Sequence, residues 1–355
     1  MITLPGLIDI HVHLREPGES YKEDFYTGTS AALAGGITTV LAMPNTKPPI
    51  LDQQSFAEAL KLAEEKACCD YGIYLGGAAD NAERAAAVAA QAAGLKLYLD
   101  ATYGPLLLES LSSWMEHFKG WPRSRPLVAH AEEKTLAAYL ALGAIYGRPV
   151  HICHVSRKVE VELIREAKRQ GIKVTCEVTP HHLFLTAEDE RSLPPGRGRV
   201  SPPLGTVDDQ QALWDNLQFI DCIATDHAPH TLQEKDGQDP PPGFPGLETA
   251  LPLLITAVRE GRLEVEDIIA KMFTNPRRIF SLPEQQDTRV EIDETHRYQI
   301  RGESIFSKAR WTPFEGRQVY GLVTRVVLRG KTVYQDGAVL AEPGTGRNVR
   351  SGDSG

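Results

Sequence analysis

Two histidines one residue apart, His11 and His13, close an apolar run over residues 7–13. On a β-strand alternate side chains share a face, so both imidazoles point one way while Ile10, Val12 and Leu14 point the other. Two imidazoles converging on one point suit a metal ion. Further groups of the same kind follow along the chain: Lys96 in LKLYL, His130 in VAHAE, Cys153 and His154 in ICHVS, Glu177 in CEV, and Asp226 in ATDHAPH. Lys96 is the unusual one, because an ammonium within an apolar strand is costly to bury and needs a partner or altered chemistry. An ion pair would answer that need. So would carboxylation by CO2, which turns the amine into a carbamate whose two oxygens can bridge two metals.

These groups need a frame. Eight short β-rich runs recur, over residues 7–13, 38–44, 71–77, 95–99, 126–132, 150–156, 173–178 and 220–226, and helix-period segments such as 55–67, 133–147 and 158–171 lie between them. Eightfold alternation of strand and helix predicts an α/β fold, a (β/α)8 TIM barrel. Every candidate ligand then falls in a barrel strand or at its carboxyl end, the rim where barrel enzymes place their active sites. A helix is expected over 22–34, stopping at Gly35-Gly36, and others over 249–261 and 265–273. The insert GQDPPPGFPG, residues 237–246, cannot be helical and is expected to overhang the barrel mouth. Past residue 285 the periodicity changes to strands with hairpin turns, over 289–292 and 320–340. The division that follows is a catalytic barrel over 1–285, a small C-terminal β appendage over 286–342 and a disordered tail over 343–355. Among the other histidines, His151 faces away from His154 and reads as structural. His181 and His182 read as support or packing, and His117 and His296 as surface residues.

Composition excludes several classes of function. With 355 residues, 42% of them hydrophobic and 24% charged, the chain can bury one large core. A net charge of −9 without any basic block argues against nucleic-acid or anionic-membrane surfaces. No apolar run approaches the ~20 residues that cross a bilayer, and the N-terminus lacks the layout of a signal peptide. Five scattered cysteines without CxxC spacing fit buried thiols in a reducing compartment, so a cytoplasmic location is expected.

Taken together, HVHLREPG, AMPNTKPP, KLYL, VAHAE, ICHVS, CEVTPHHL, TDHAPHT and PGFPGLET resemble the dihydroorotases of the amidohydrolase superfamily. The resemblance is greatest to the dihydroorotase domain of the multifunctional pyrimidine-synthesis polypeptide of animals, and it covers residues 4–340. It implies a zinc enzyme that reversibly cyclises N-carbamoyl-L-aspartate to L-dihydroorotate in de novo pyrimidine (UMP) synthesis. It assigns His11, His13, Lys96 and Asp226 to a first zinc, and carboxylated Lys96, His130 and His154 to a second. Cys153 and Glu177 match positions that add a third zinc beside His154. Asp226 would also move the proton. Arg15, Asn45 and His230 match residues that grip the substrate carboxylate, a task for which the planar fork of arginine is suited. Residues 100–110 resemble a loop that closes over substrate through a Thr-Phe pair, here Thr102-Tyr103. Ser201 stands where the animal domain has an arginine near the ring. The implied partners are the small-molecule substrate, a second copy in a homodimer, and neighbouring carbamoyl-phosphate synthetase and aspartate transcarbamoylase domains. Two alternatives are a hydantoinase or allantoinase, which would need no carboxylate grip, and a non-catalytic dihydropyrimidinase-like scaffold, which would lose metal ligands.

Overall fold

In the computed structural model, which describes residues 1–351, a short strand β1 (Ile2–Pro5) leads into the barrel. The barrel strands are β2 (Leu7–Val12), β3 (Ile37–Ala42), β4 (Asp70–Ile73), β5 (Leu75–Gly76), β6 (Leu95–Tyr98), β7 (Leu127–His130), β8 (Val150–Ile152), β9 (Val174–Val178) and β10 (Cys222–Ile223). They form two parallel arcs, β2-β3-β4 and β5 through β10, with an alternating helix layer outside, as the sequence pattern predicts. Strands β4 and β5 are one barrel strand broken at Tyr74. The Tyr74 amide still bonds Ala42 O at 2.9 Å, whereas the next amide, Leu75, bonds Gly94 O at 3.0 Å on the other side. The strand thus changes partner at a single residue.

Between β10 and β2 no ladder forms. An isolated parallel bridge joins Val12 to His227, with the His13 amide 2.7 Å from His227 O. Asp9 completes this seam from within. Its carboxylate accepts from the amides of His11 at 3.1 Å and Thr225 at 3.2 Å, and from Thr225 Oγ1 at 2.5 Å. Burial pushes the Asp9 carboxyl up to about 7, with the bonds from Thr225 and His11 pulling the other way.

The helices begin where the sequence supplies caps. Asp24 and Thr27 form a capping box for Phe25–Ala34, so this helix starts later than expected, and Asp52 with Ser55 does the same for Gln53–Lys66. Lys158–Arg169 turns Val161, Ile164 and Ala167 to the core, the spacing of one helical face. Behind the eighth barrel strand come Ala250–Arg259, Val265–Ile269, a π-helical turn over Ala270–Thr274, and Asn275–Phe280.

The appendage is a five-stranded antiparallel sheet that adds β11 (Arg289–Gln299), β12 (Gln318–Leu328), β13 (Lys331–Gln335) and β14 (Ala338–Val339), in the order β1-β11-β12-β13-β14. Residues 2–5 therefore pair outside the barrel, across the division placed at residue 285, because the long β11 edge needs a partner for its backbone groups. The tail is also ordered through residue 351. The Tyr71 amide bonds Arg347 O at 3.0 Å and Tyr71 O accepts from the Val349 amide at 2.8 Å, while the Arg350 guanidinium donates to Phe280 O at 2.6 Å and Ser281 O at 2.9 Å. Gly346 allows this path, since a Cβ there would lie 2.0 Å from Cys69 O. Residues 352–355 of the expected tail lie outside the described residues. His117, expected on the surface, is buried on the inner face of its helix, 2.8 Å from Ala78 O. His296 is exposed, and all five cysteines are buried free thiols. No helix among the described residues is long and apolar enough to cross a membrane.

Candidate active site

Strand alternation delivers the candidate ligands to one rim. His11 Nε2 and His13 Nε2 lie 3.2 Å and 3.0 Å from the same Asp226 oxygen. The ligand atoms of His11, His13 and Asp226 all lie within 4.8 Å of one another, as do those of His11, Cys153 and His154. His130 Nδ1 is 2.9 Å from His154 Nε2. Lys96, fully buried, places Nζ 2.7 Å from Cys153 Sγ, and among the described residues no carboxylate pairs with it. The ion-pair alternative for Lys96 is thereby removed. Two of these residues, His154 and Asp226, and the nearby Arg15 carry backbone strain, with φ of +32°, +46° and +59°. Left-handed geometry at non-glycine positions costs on the order of 1–3 kcal/mol each and gathers at functional sites.

The electrostatics leave the ligand set ready for a cation. Burial brings the His13 imidazole down to about 4 against the attraction of Asp226, and holds His154 well below its usual value. Burial opposes ionisation of Asp226, but His11, His13 and His154 outweigh it and keep the carboxyl well below the usual range. At neutral pH the His13 and His154 imidazoles are therefore neutral and the Asp226 carboxylate charged, the forms that bind metal. Burial pushes the Cys153 thiol up, partly offset by Lys96. His154 Nδ1 is buried and unpartnered, two imidazole nitrogens face each other across 2.9 Å, and a buried lysine lacks an anion. These features fit a site for metal ions.

Supporting contacts fix the tautomers. His11 Nδ1 bonds Glu177, which also lies 3.1 Å from His151 Nε2 and 3.3 Å from the His154 amide, so His11 turns Nε2 inward. Glu177 is engaged by His11 and His151 rather than grouped with Cys153 and His154 for a third metal. His13 Nδ1 lies 2.7 Å from Asn45 Oδ1, and Asn45 Nδ2 donates to Tyr103 O at 2.9 Å. Asn45, assigned to substrate by resemblance, here orients a ligand and holds the loop. His182 bonds Thr179 and Pro202 O within the wall, while Nε2 of His181 is buried without a partner.

The opposite side of the cavity is cationic. Arg15 Nε donates to Pro229 O at 3.1 Å, its Nη2 is 3.0 Å from His230 Nε2, and Lys22 Nζ is 3.3 Å from His230 Nδ1. Burial, then Arg15 and Lys22, push His230 far below its usual value, so it stays neutral between two cations. Thr102 and Tyr103 cover the cavity, and Ser201, Pro242 and Gly243 complete its wall, placing the proline-rich insert over the mouth. Tyr103 Oη donates to Glu19 at 2.6 Å and accepts from Lys22 at 2.6 Å and Lys47 at 3.2 Å, while its ring lies 5.0 Å from the Arg15 guanidinium carbon. Sequence reasoning missed Glu19, Lys22 and Lys47. The signal for Glu19 and Lys22 was a run of charges, YKED and its neighbours, in a segment too short of apolar residues to need burial as helix, whereas Lys47, alone between Thr46 and Pro48, carried no such signal.

Residues 2–285 match the amidohydrolase family. The chain belongs to that family. It is 56% identical over 351 residues to the multifunctional protein CAD of Squalus acanthias, covering 99% of this chain and 16% of that protein. It is 38% identical over 374 residues to a dihydroorotase of Pyrococcus horikoshii, covering 99% of this chain and 86% of that one. The chain therefore falls among the dihydroorotases of the amidohydrolase family, while spanning about one sixth of the length of the multifunctional relative. The L-hydantoinase of Arthrobacter aurescens shares the fold with a TM-score of 0.93 at 27% identity, over 98% of this chain and 88% of that one.

Proposed function

We propose that this chain is a zinc-dependent dihydroorotase, interconverting N-carbamoyl-L-aspartate and L-dihydroorotate in pyrimidine synthesis. The observation that carries this is the pairing, within one cavity, of a metal-ligand set on one side with the Arg15, His230 and Lys22 wall on the other. A cyclic amide bearing a carboxylate matches both. His11, His13, Lys96 and Asp226 would hold one zinc, and Lys96, carboxylated, with His130 and His154 a second; a third, on Cys153, Glu177 and the shared His154, would require Glu177 to give up its bond to His11. When bound, the ions supply Lewis-acid activation of the reacting carbonyl and offset the negative charge that develops on it. Arg15 pairs with the carboxylate and sets the ring's orientation. Asp226, ionised at neutral pH, takes the proton from the ring-closing nitrogen and returns it to that nitrogen in the reverse direction. Thr102, Tyr103 and the insert exclude bulk water while ring closure releases one.

The same kinship leads us to place the chain in the cytoplasm as a homodimer, beside carbamoyl-phosphate synthetase and aspartate transcarbamoylase domains in a multifunctional polypeptide. The fold is shared with a hydantoinase, and the cationic wall is what favours a carboxylated ring over hydantoin. The deciding experiment assays the purified chain on dihydroorotate, hydantoin and allantoin, with zinc measured on the same sample. Turnover confined to dihydroorotate with about two zinc ions per chain is expected. Preference for hydantoin would replace the substrate, and zinc far below one per chain without turnover would favour a scaffold.

A further inference from the structure

We propose that Tyr98 is a further catalytic residue, its Oη donating a hydrogen bond to the oxygen of the reacting carbonyl as charge builds there. This rests on the dihydroorotase reading. Tyr98 ends β6 two residues beyond Lys96, so the two side chains share the inner face of the barrel. The Lys96 Nζ lies 5.1 Å from the centre of the Tyr98 ring, and the ring lies 6.3 Å from that of His130. Tyr98 forms part of the wall of the cavity that holds the ligand set, and it is 2% exposed. Its Oη is buried and makes no hydrogen bond. The other phenol within the barrel, Tyr74, shows the ordinary arrangement, with Oη bonded to Ile10 O at 2.9 Å.

A buried hydroxyl without an acceptor is unfavourable, and one retained in a reaction cavity points to an acceptor that arrives with the ligand. The cavity has two ends. Arg15 and His230 occupy the carboxylate end, and the Tyr98 ring lies beside Lys96 and His130, next to the ligand set where the reacting atoms must sit, while still within reach of the Arg15 charge. Asn45 is spent on His13 and Tyr103, leaving Tyr98 as an uncommitted neutral donor beside the ligand set. A phenol is a donor at neutral pH, and a donor aimed at developing charge acts mainly in the transition state.

The test is Tyr98→Phe, which keeps the ring. Wild type is first assayed on dihydroorotate; absence of turnover there would overturn the dihydroorotase reading itself, independently of Tyr98. Given turnover, the variant is expected to lose about a hundredfold in kcat in both directions, with KM and zinc content within about twofold of wild type. Because the hydroxyl has no partner in the folded protein, the metal-free variant is expected to melt at or above the wild-type temperature. A kcat within about twofold of wild type would overturn the proposal. So would loss of zinc in parallel with activity, which would assign the hydroxyl to the carbamate of Lys96, or a lower melting temperature with kcat and KM falling together.

Discussion

Replacing Arg15 by methionine separates the carboxylate grip from the metal site. Arg15 already commits Nε to Pro229 O and one terminal nitrogen to His230, leaving its remaining donors for a ligand. Lys22, behind His230, would keep part of the positive field, so the variant loses about one charge-assisted hydrogen bond, ~1.5–3 kcal/mol. At about 1.4 kcal/mol per factor of ten, that is a fall of about 10- to 150-fold in kcat/KM on dihydroorotate. Methionine keeps the stem and leaves the strained φ of +59° in place, which glycine would relieve and so confuse. The comparison substrate is dihydrouracil, the same ring without the carboxylate, for which the loss should stay within about threefold. Zinc content should not change. Equal losses on both rings would refute the reasoning and show that Arg15 serves to hold the segment at Pro229.

Lys96→Met should strip zinc and activity together, because no anion remains to bridge the metals; unchanged zinc and turnover would remove the carbamate from the account. For Asp226→Asn, zinc and dihydroorotate binding should persist while turnover falls by orders of magnitude in both directions, and a loss of only about tenfold, ~1.4 kcal/mol, would call for another proton carrier. Deleting residues 343–355 removes, besides two backbone bonds at Tyr71 and two from Arg350, those of Gly346 to Ala67, Arg347 to Asp70 and Arg329 to Thr345, so at ~0.5–1.5 kcal/mol each thermal unfolding should show at least ~3.5 kcal/mol lost; an unchanged melting curve would make the tail dispensable. Finally, His13 is held at about 4 in the metal-free fold against 6.5 when free. Between those values the unfolded chain binds the extra proton, so stability falls as pH drops from 6.5 to 4, by about 3 kcal/mol from this group. His13→Gln should flatten that part of the urea-unfolding profile, and an unaltered profile would show that His13 is not held neutral.

Strand and helix alternation made the barrel readable because each barrel strand is short, apolar and bounded by a helix, and period alone then put the ligands on the rim. What period cannot show is partnership. That His11 leans on Glu177, that Asn45 turns His13, and that Lys22 reaches His230 are contacts between segments far apart in the chain, invisible to local pattern. The strand β1 went unseen because four residues carry no period and their partner lies beyond residue 285. The tail had the composition of a disordered segment, yet its glycine permits close passage and its arginine caps a helix end. His117 was legible after all, since Trp114, His117 and Phe118 share one helical face.

The join between β10 and β2 has a mechanical side. A closed barrel owes its rigidity to an unbroken ring of backbone pairing, and here that ring is thinnest, held by one bridge and the Asp9 carboxylate. His11 and His13 stand on one lip of the gap and Asp226 on the other. An ion gripping all three is a rivet through the hoop. Such an ion would add a tie to a join that the bridge and the Asp9 carboxylate already hold closed, and the chemistry sits where the wall has least backbone of its own.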